Sequence, residues 1–202
     1  MDKLKLKKLV SRIIIFICLF TSSQVFAQQS FWSKLKPDQV ETQYAGSIGF
    51  LSVGAGYHLF KEKAALSLHV GYVPESLGGE MTILAAKFEY KPFTIKIKDK
   101  FIIQPFNPVF FPSYTLGQNF DFKFEKPQYR EGYYFWSSAL RIHMGAGSEV
   151  KILTNQSASI KAISIYAEAN TNDLYAISWF KNRTSTPFYA MFKLGYGVKM
   201  YF

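Results

Sequence analysis

The segment 187–202, PFYAMFKLGYGVKMYF, alternates to its final ring, and that constrains the fold more than any other feature of the chain. Phe188, Ala190, Phe192, Leu194, Tyr196, Val198, Met200 and Phe202 share one face, while Lys193, Gly195, Gly197 and Lys199 share the other. A period of two is the signature of a strand with one apolar and one polar side. The pattern recurs. In SIGFLSVGAGYHLF, Leu51, Val53, Ala55, Tyr57 and Leu59 oppose Ser52, Gly54, Gly56 and His58. In AALSLHVGYVP, Leu66, Leu68, Val70 and Tyr72 oppose Ser67, His69 and Gly71. Residues 81–97 set Leu84, Ala86, Phe88 and Tyr90 against Lys87, Glu89 and Lys91. Residues 133–152 set Trp136, Leu140, Ile142 and Met144 against Ser137, Arg141, His143 and Gly145. Residues 157–170 set Ile163, Ile165 and Ala167 against Ser164, Tyr166, Glu168 and Asn170. FIIQPFNPVFFPSYTLG reads as an irregular or edge strand, because prolines cannot donate to a ladder.

These are seven strands. An eighth lies either in LYAISWFK, 174–181, or in SFWSKLKPDQVETQY near the N-terminus. Short connections at KEK (61–63), KDK (98–100) and LTNQ (153–156) fall at one end only if 171–186 and 117–132 are both long loops at the other. That arrangement favours the N-terminal strand or an N-terminal cap. The expected fold is all-β: an antiparallel up-and-down transmembrane β-barrel of about eight strands. A soluble lipocalin-like barrel would carry its apolar residues inward and its charges outside. Glycines and charges on one face, with bulky aromatics on the other, favour the membrane form.

The first residues indicate an address. Lys3, Lys5, Lys7, Lys8 and Arg12 precede an apolar run from Ile13 to Phe20, and Val25-Phe26-Ala27 ends the segment. This has the anatomy of a secretory signal peptide, and the run is too short to span a bilayer as a helix. The expected division is therefore a cleaved signal at 1–27, an N-terminal segment at 28–42 and the barrel at 43–202. The sole cysteine, Cys18, would leave with the signal. The formal charge of +10 becomes +6 once the five basic and one acidic residues of 1–27 are removed. No basic cluster points to nucleic acid. Twenty Phe and thirteen Tyr suit a barrel with aromatic girdles at two membrane interfaces.

By parity, the lumen receives His58, His69, His143, Lys87, Glu89, Arg141, Glu168, Lys193 and Lys199. One reading makes His69, His143 and Glu168 a hydrolytic or metal site. The other makes all nine a filled lumen whose buried charges pair. The histidines lack metal-ligand spacing, and no serine sits in a nucleophile elbow, so no metal or cofactor is expected. The expected role is structural or surface-interacting, with lipid modification as the alternative and a narrow channel third. The loops GQNFDFKFEKPQYREG and TNDLYAISWFKNRTST mix aromatics with basic residues suited to lipopolysaccharide, or they cover the barrel mouth. FWSKL is too short to establish an interfacial helix.

Three resemblances follow from these residues. Tyr196, Gly197, Met200 and Phe202 occupy the places of a C-terminal signal similar to that read by the barrel assembly machinery of Gram-negative outer membranes. This implies the outer membrane as location and that machinery as a partner during insertion, with the mature chain a monomer among outer-membrane lipids. MGAGSEVKILTNQSASIKAISIYAEANTNDL resembles the last hairpin of outer-membrane lipid A 3-O-deacylases, which leads to a His-x-Ser-Asn motif. Placing the motif's Asn on Asn170 puts Ala169 at the serine and Ala167 at the base. The resemblance therefore implies the scaffold and not the activity. YYFWSSALR and NDLYAIS also resemble segments of small outer-membrane barrels without a known activity.

Overall fold

The computed structural model describes residues 36–77, 79–117, 137–154 and 159–202. The expected signal segment, the FWSKL stretch, most of the 117–132 loop and Trp136 lie outside the described residues. Nine strands form: β1 (Gln39–Ala45), β2 (Leu51–Leu59), β3 (Ala64–Val73), β4 (Met81–Tyr90), β5 (Ile95–Ile97), β6 (Phe101–Leu116), β7 (Leu140–Leu153), β8 (Ala162–Asn172) and β9 (Lys193–Tyr201). All pairings are antiparallel. Neighbours in sequence pair with one another, β1 pairs with β9, and β4 pairs with β6, so the sheet closes. The short β5 continues β4 along β6 in the same register, with Thr82 opposite Leu116 and Ile95 opposite Ile103. The result is a closed, up-and-down barrel of eight strands.

The alternation builds this wall directly. Leu68 is 68% exposed and Ile165 63%, while their neighbours His69 and Ser164 are 2% and 1% exposed. Apolar residues lie outside and polar residues inside, the inverse of a soluble barrel. Most strands have nine or more residues, enough for a tilted strand to cross a hydrocarbon layer. Among the described residues, no helix is long and apolar enough to cross a membrane.

The eighth strand is β1, from the N-terminal candidate. It begins at Gln39, ahead of the boundary expected at residue 43. Its register is fixed on both flanks, with Glu41 opposite Gly54 on β2 and Lys199 on β9. LYAISWFK belongs instead to a helix, α1 (Asp173–Lys181). Asn172 caps it, its side chain accepting from the Tyr175 amide at 2.8 Å, and Asp173 complements the helix N-terminus.

The proline-rich segment is not an edge. β6 pairs with β4 and β5 on one side and β7 on the other. Its irregularity is a bulge: Pro105 and Phe106 both fall opposite Ser148, between the pairs Gln104–Glu149 and Asn107–Gly147. Ser148 Oγ donates to the Pro105 carbonyl at 2.7 Å. The ladder to β4 is interrupted at Pro112 and again at Pro108. Strand length also differs at two ends. Residues 188–191 form a 3-10 turn after Pro187, so the last strand starts at Lys193. Phe188 packs edge-on against Trp179 and Phe192 there, and this aromatic cluster replaces sheet pairing. Residues 137–139 also precede β7, with the Ser137 hydroxyl accepting from the amides of Ala139 and Leu140.

The short connections 60–63 and 98–100 share one end of the barrel with the start of β1, the end of β7, the start of β8 and the end of β9. The β1–β2, β3–β4 and β8–β9 connections, with α1 in the last, share the other with the end of β6 and the start of β7. These are the turn end and the loop end below.

Candidate functional site

The lumen is filled by a network of ions drawn from six strands. Glu41 on β1 accepts from His69 Nε2 at 2.9 Å and from Lys87 Nζ at 3.1 Å. Lys87 also faces Glu168 at 3.6 Å. Lys199 on β9 reaches Glu89 at 2.6 Å, Glu149 at 3.1 Å and Glu41 at 3.9 Å. Lys91 sits between Glu89 and Glu149 at 3.6 and 3.7 Å. Lys151 lies 3.6 Å from the centre of the Tyr201 ring, whose hydroxyl donates to Glu149. Asn107 and Asn170 donate to Glu89 and Glu168 at 3.2 and 2.8 Å, and Tyr166 donates to Gln43 at 3.1 Å.

Glutamates 41, 89, 149 and 168 balance lysines 87, 91, 151 and 199, so this network of described residues is formally neutral. All eight are buried. Buried charges persist when partners and hydrogen bonds offset their desolvation, and each carboxylate here has both. Gly197 makes room for the packing: a Cβ there would meet the Tyr166 ring at 2.4 Å.

The residues expected in the lumen separate into three groups. His69, Lys87, Glu89, Glu168 and Lys199 belong to the ion network. His58 is half-buried toward the turn end, donating to Gln39 at 3.1 Å and stacking on Tyr201. His143, Arg141 and Lys193 are at the loop end. Lys193 is exposed on the rim, where β9 only begins, and is no part of the ion network. The trio His69, His143 and Glu168 does not assemble. His69 and Glu168 are tied to Glu41 and Lys87, while His143 shares a 2.8 Å hydrogen bond with Ser113 and stacks on Phe111 at 4.5 Å. Among the described residues, no group of three His, Cys, Asp or Glu residues is placed to hold a metal. Ala167 and Ala169, at the places of the deacylase base and nucleophile, alternate with the buried Tyr166, Glu168 and Asn170 on β8 and lie on its outer face.

Several network members were readable but unassigned. Gln39, Glu41 and Gln43 alternate with outward Val40, Thr42 and Tyr44, and Glu149 and Lys151 share the parity of His143. Tyr201 shares that of Lys199.

The loop end is closed differently. The β1–β2 connection folds inward, and Ile48 packs with Ile83, Ala85 and Phe111 as the barrel's one apolar cluster among the described residues. A Cβ at Gly71 would meet the Ile48 carbonyl oxygen at 1.6 Å, so only glycine admits this tuck. Arg141 donates to the Ser137 carbonyl at 2.7 Å and faces Asp173 at 3.8 Å, tying β7 to the start of α1. Beside this plug is a cavity of about 500 Å³ between the β1–β2 and β3–β4 connections, β9 and α1, with His143 and Ser47 in its wall. On α1 and just beyond it, Phe180 is exposed and the Arg183 guanidinium stands 3.7 Å from its ring centre.

Comparison with protein families, with curated proteins and with solved structures found no match to this chain.

Proposed function

We propose that this chain is a small, monomeric outer-membrane β-barrel of Gram-negative type whose lumen is a packed solid, with a structural or surface-interaction role. One observation carries the reading: the barrel is inside-out, with paired ions in its interior and a continuous apolar wall outside. Such a wall is stable only against hydrocarbon. The signal-like N-terminus and the aromatic C-terminal strand support the address, and Tyr196, Gly197, Met200 and Phe202 support recognition by the assembly machinery. The long connections lie at one end, as expected for loops facing outward from the cell. The aromatic and cationic side chains of 179–183 would there meet lipopolysaccharide.

A conducting channel fits poorly. The ion network and the Ile48 plug occupy the bore, which is narrow in an eight-stranded barrel. Hydrolysis has one observation in its favour, the Ser113–His143 hydrogen bond. Ser113 does not border the loop-end cavity, however, and His143 Nδ1 has no hydrogen-bond partner where a triad would place its carboxylate.

Membrane fractionation followed by electrophoresis with and without boiling tests the reading. The expected result is an outer-membrane protein that migrates faster unboiled. Recovery as a soluble periplasmic protein would overturn it.

A further inference from the structure

The loop-end cavity has a chemical character unlike the rest of the lumen. Two polar atoms in its lining residues are buried without a hydrogen-bond partner, Ser47 Oγ and His143 Nδ1; others deeper in the lumen, such as His69 Nδ1 and Ser164 Oγ, are too, but these two belong to residues that line open volume. His143 is only 2% exposed, and its Nε2 is committed to Ser113. The stack on Phe111, with rings 5° from parallel, fixes the imidazole plane. Lys193 stands on the rim with its ammonium 5.0 Å from the Tyr175 ring centre. No carboxylate lines the cavity among the described residues. The acid on α1, Asp173, lies close to His143 but is partnered, accepting from the Ile142 amide at 3.3 Å and facing Arg141 at 3.8 Å, which offsets its charge. A buried polar atom left unpaired is costly, and low dielectric magnifies both that cost and the benefit of a suitable partner; with the Ser113 hydroxyl donating to Nε2, the ring proton falls on Nδ1.

The remaining wall is apolar. Phe50, Leu77 and Leu194 are 40%, 55% and 56% exposed around the opening. The cavity thus pairs a small set of convergent polar groups and a single ammonium with greasy flanks, the composition of a site for an amphiphile.

We propose that this cavity binds the anionic headgroup of an amphiphile, with Lys193, Ser47 and His143 on the phosphate or carboxylate and the acyl chain along Phe50, Leu77 and Leu194. Ser113 positions His143 by holding its far nitrogen. The proposal rests on the membrane reading above, since it is at a bilayer surface that such a ligand is abundant.

The test uses the mature chain, residues 28–202, in phosphatidylcholine nanodiscs, with insertion checked by unboiled migration. Dodecyl phosphate is the probe, inorganic phosphate and dodecyl maltoside the comparisons. Calorimetry gives affinity, and ¹⁵N-histidine NMR reads the His143 ring. The expected result is saturable one-to-one binding of dodecyl phosphate that moves the Nδ1 resonance. Lys193→Gln, at an exposed position that leaves the fold intact, should weaken it about tenfold, as loss of one charge-assisted contact does, and Lys193→Arg should retain it. Equal binding of dodecyl maltoside would overturn the anion, and equal binding of inorganic phosphate would overturn the amphiphile. Full affinity in both Lys193→Gln and Ser47→Ala would overturn the site. A chain that never inserts would overturn the membrane reading, whereas an inserted chain that binds nothing would overturn this inference alone.

Discussion

Lys199→Met is the substitution that best separates a packed lumen from a wet one. Methionine is close to lysine in length and unbranched, so the change removes charge with little loss of volume. In the parent, Lys199 Nζ lies within 4 Å of three carboxylates, those of Glu89, Glu149 and Glu41, and the residue is 0% exposed. Its removal leaves four buried glutamates against three lysines. Lys91 still faces Glu89 and Glu149, and Lys87 still faces Glu41, so each carboxylate keeps one cation. The lumen is nevertheless left with one uncompensated buried negative charge, and breaking a buried pair in that way costs about 3–5 kcal/mol. Urea unfolding of the vesicle-inserted protein, followed by tryptophan fluorescence and unboiled migration, measures it. Glu89→Gln restores the charge balance. The double variant should be more stable than the two single losses predict, with a coupling of about 2–3 kcal/mol. A loss below about 1 kcal/mol for Lys199→Met, the range of solvated ion pairs, would refute the reasoning. The lumen would then hold enough water to screen its charges, and the case for a conducting bore would reopen.

Three other outcomes follow from the same geometry. Leu68→Arg, at a 68% exposed mid-strand position, should cost about 2–4 kcal/mol in a bilayer, and the same unfolding assay would show instead no loss if the wall faced water. Gly71→Ala should expel the Ile48 tuck, since its Cβ would fall 1.6 Å from a backbone oxygen, and the signature is faster amide exchange in 46–50 with the ion network unchanged. Deleting Phe202 should slow assembly in cells, with unboiled heat-modifiable protein as the readout, and undiminished assembly would count against the reading of the terminal strand as a recognition signal.

Alternation made the barrel wall legible because a strand buried on one face has only one way to place its side chains, and a slip of one residue would turn every one of them over. The same rule explains what stayed hidden. On β6 the inward parity is even at Gln104 and odd from Asn107 onward, because Pro105 and Phe106 share one position opposite Ser148. A reading that carries parity straight through this bulge turns Asn107, Phe111 and Ser113 outward. Those are the residues that hold Glu89, stack on His143 and bind its ring nitrogen. Period-two patterning also fails where local packing outcompetes pairing. Phe188, Ala190 and Phe192 continue the alternation of β9, yet Pro187 opens a 3-10 turn there and Phe188 packs against Trp179 and Phe192 instead of a neighbouring strand. The loop-end cavity is built from those exceptions. Its histidine is fixed by the partners the bulge turned inward, its floor is set by a loop that only Gly71 admits, and its rim is Lys193, the first residue of the strand that follows the turn. On the proposed reading, the regular wall would set how the chain sits in a membrane, and the irregular positions would set what the loop end can recognise.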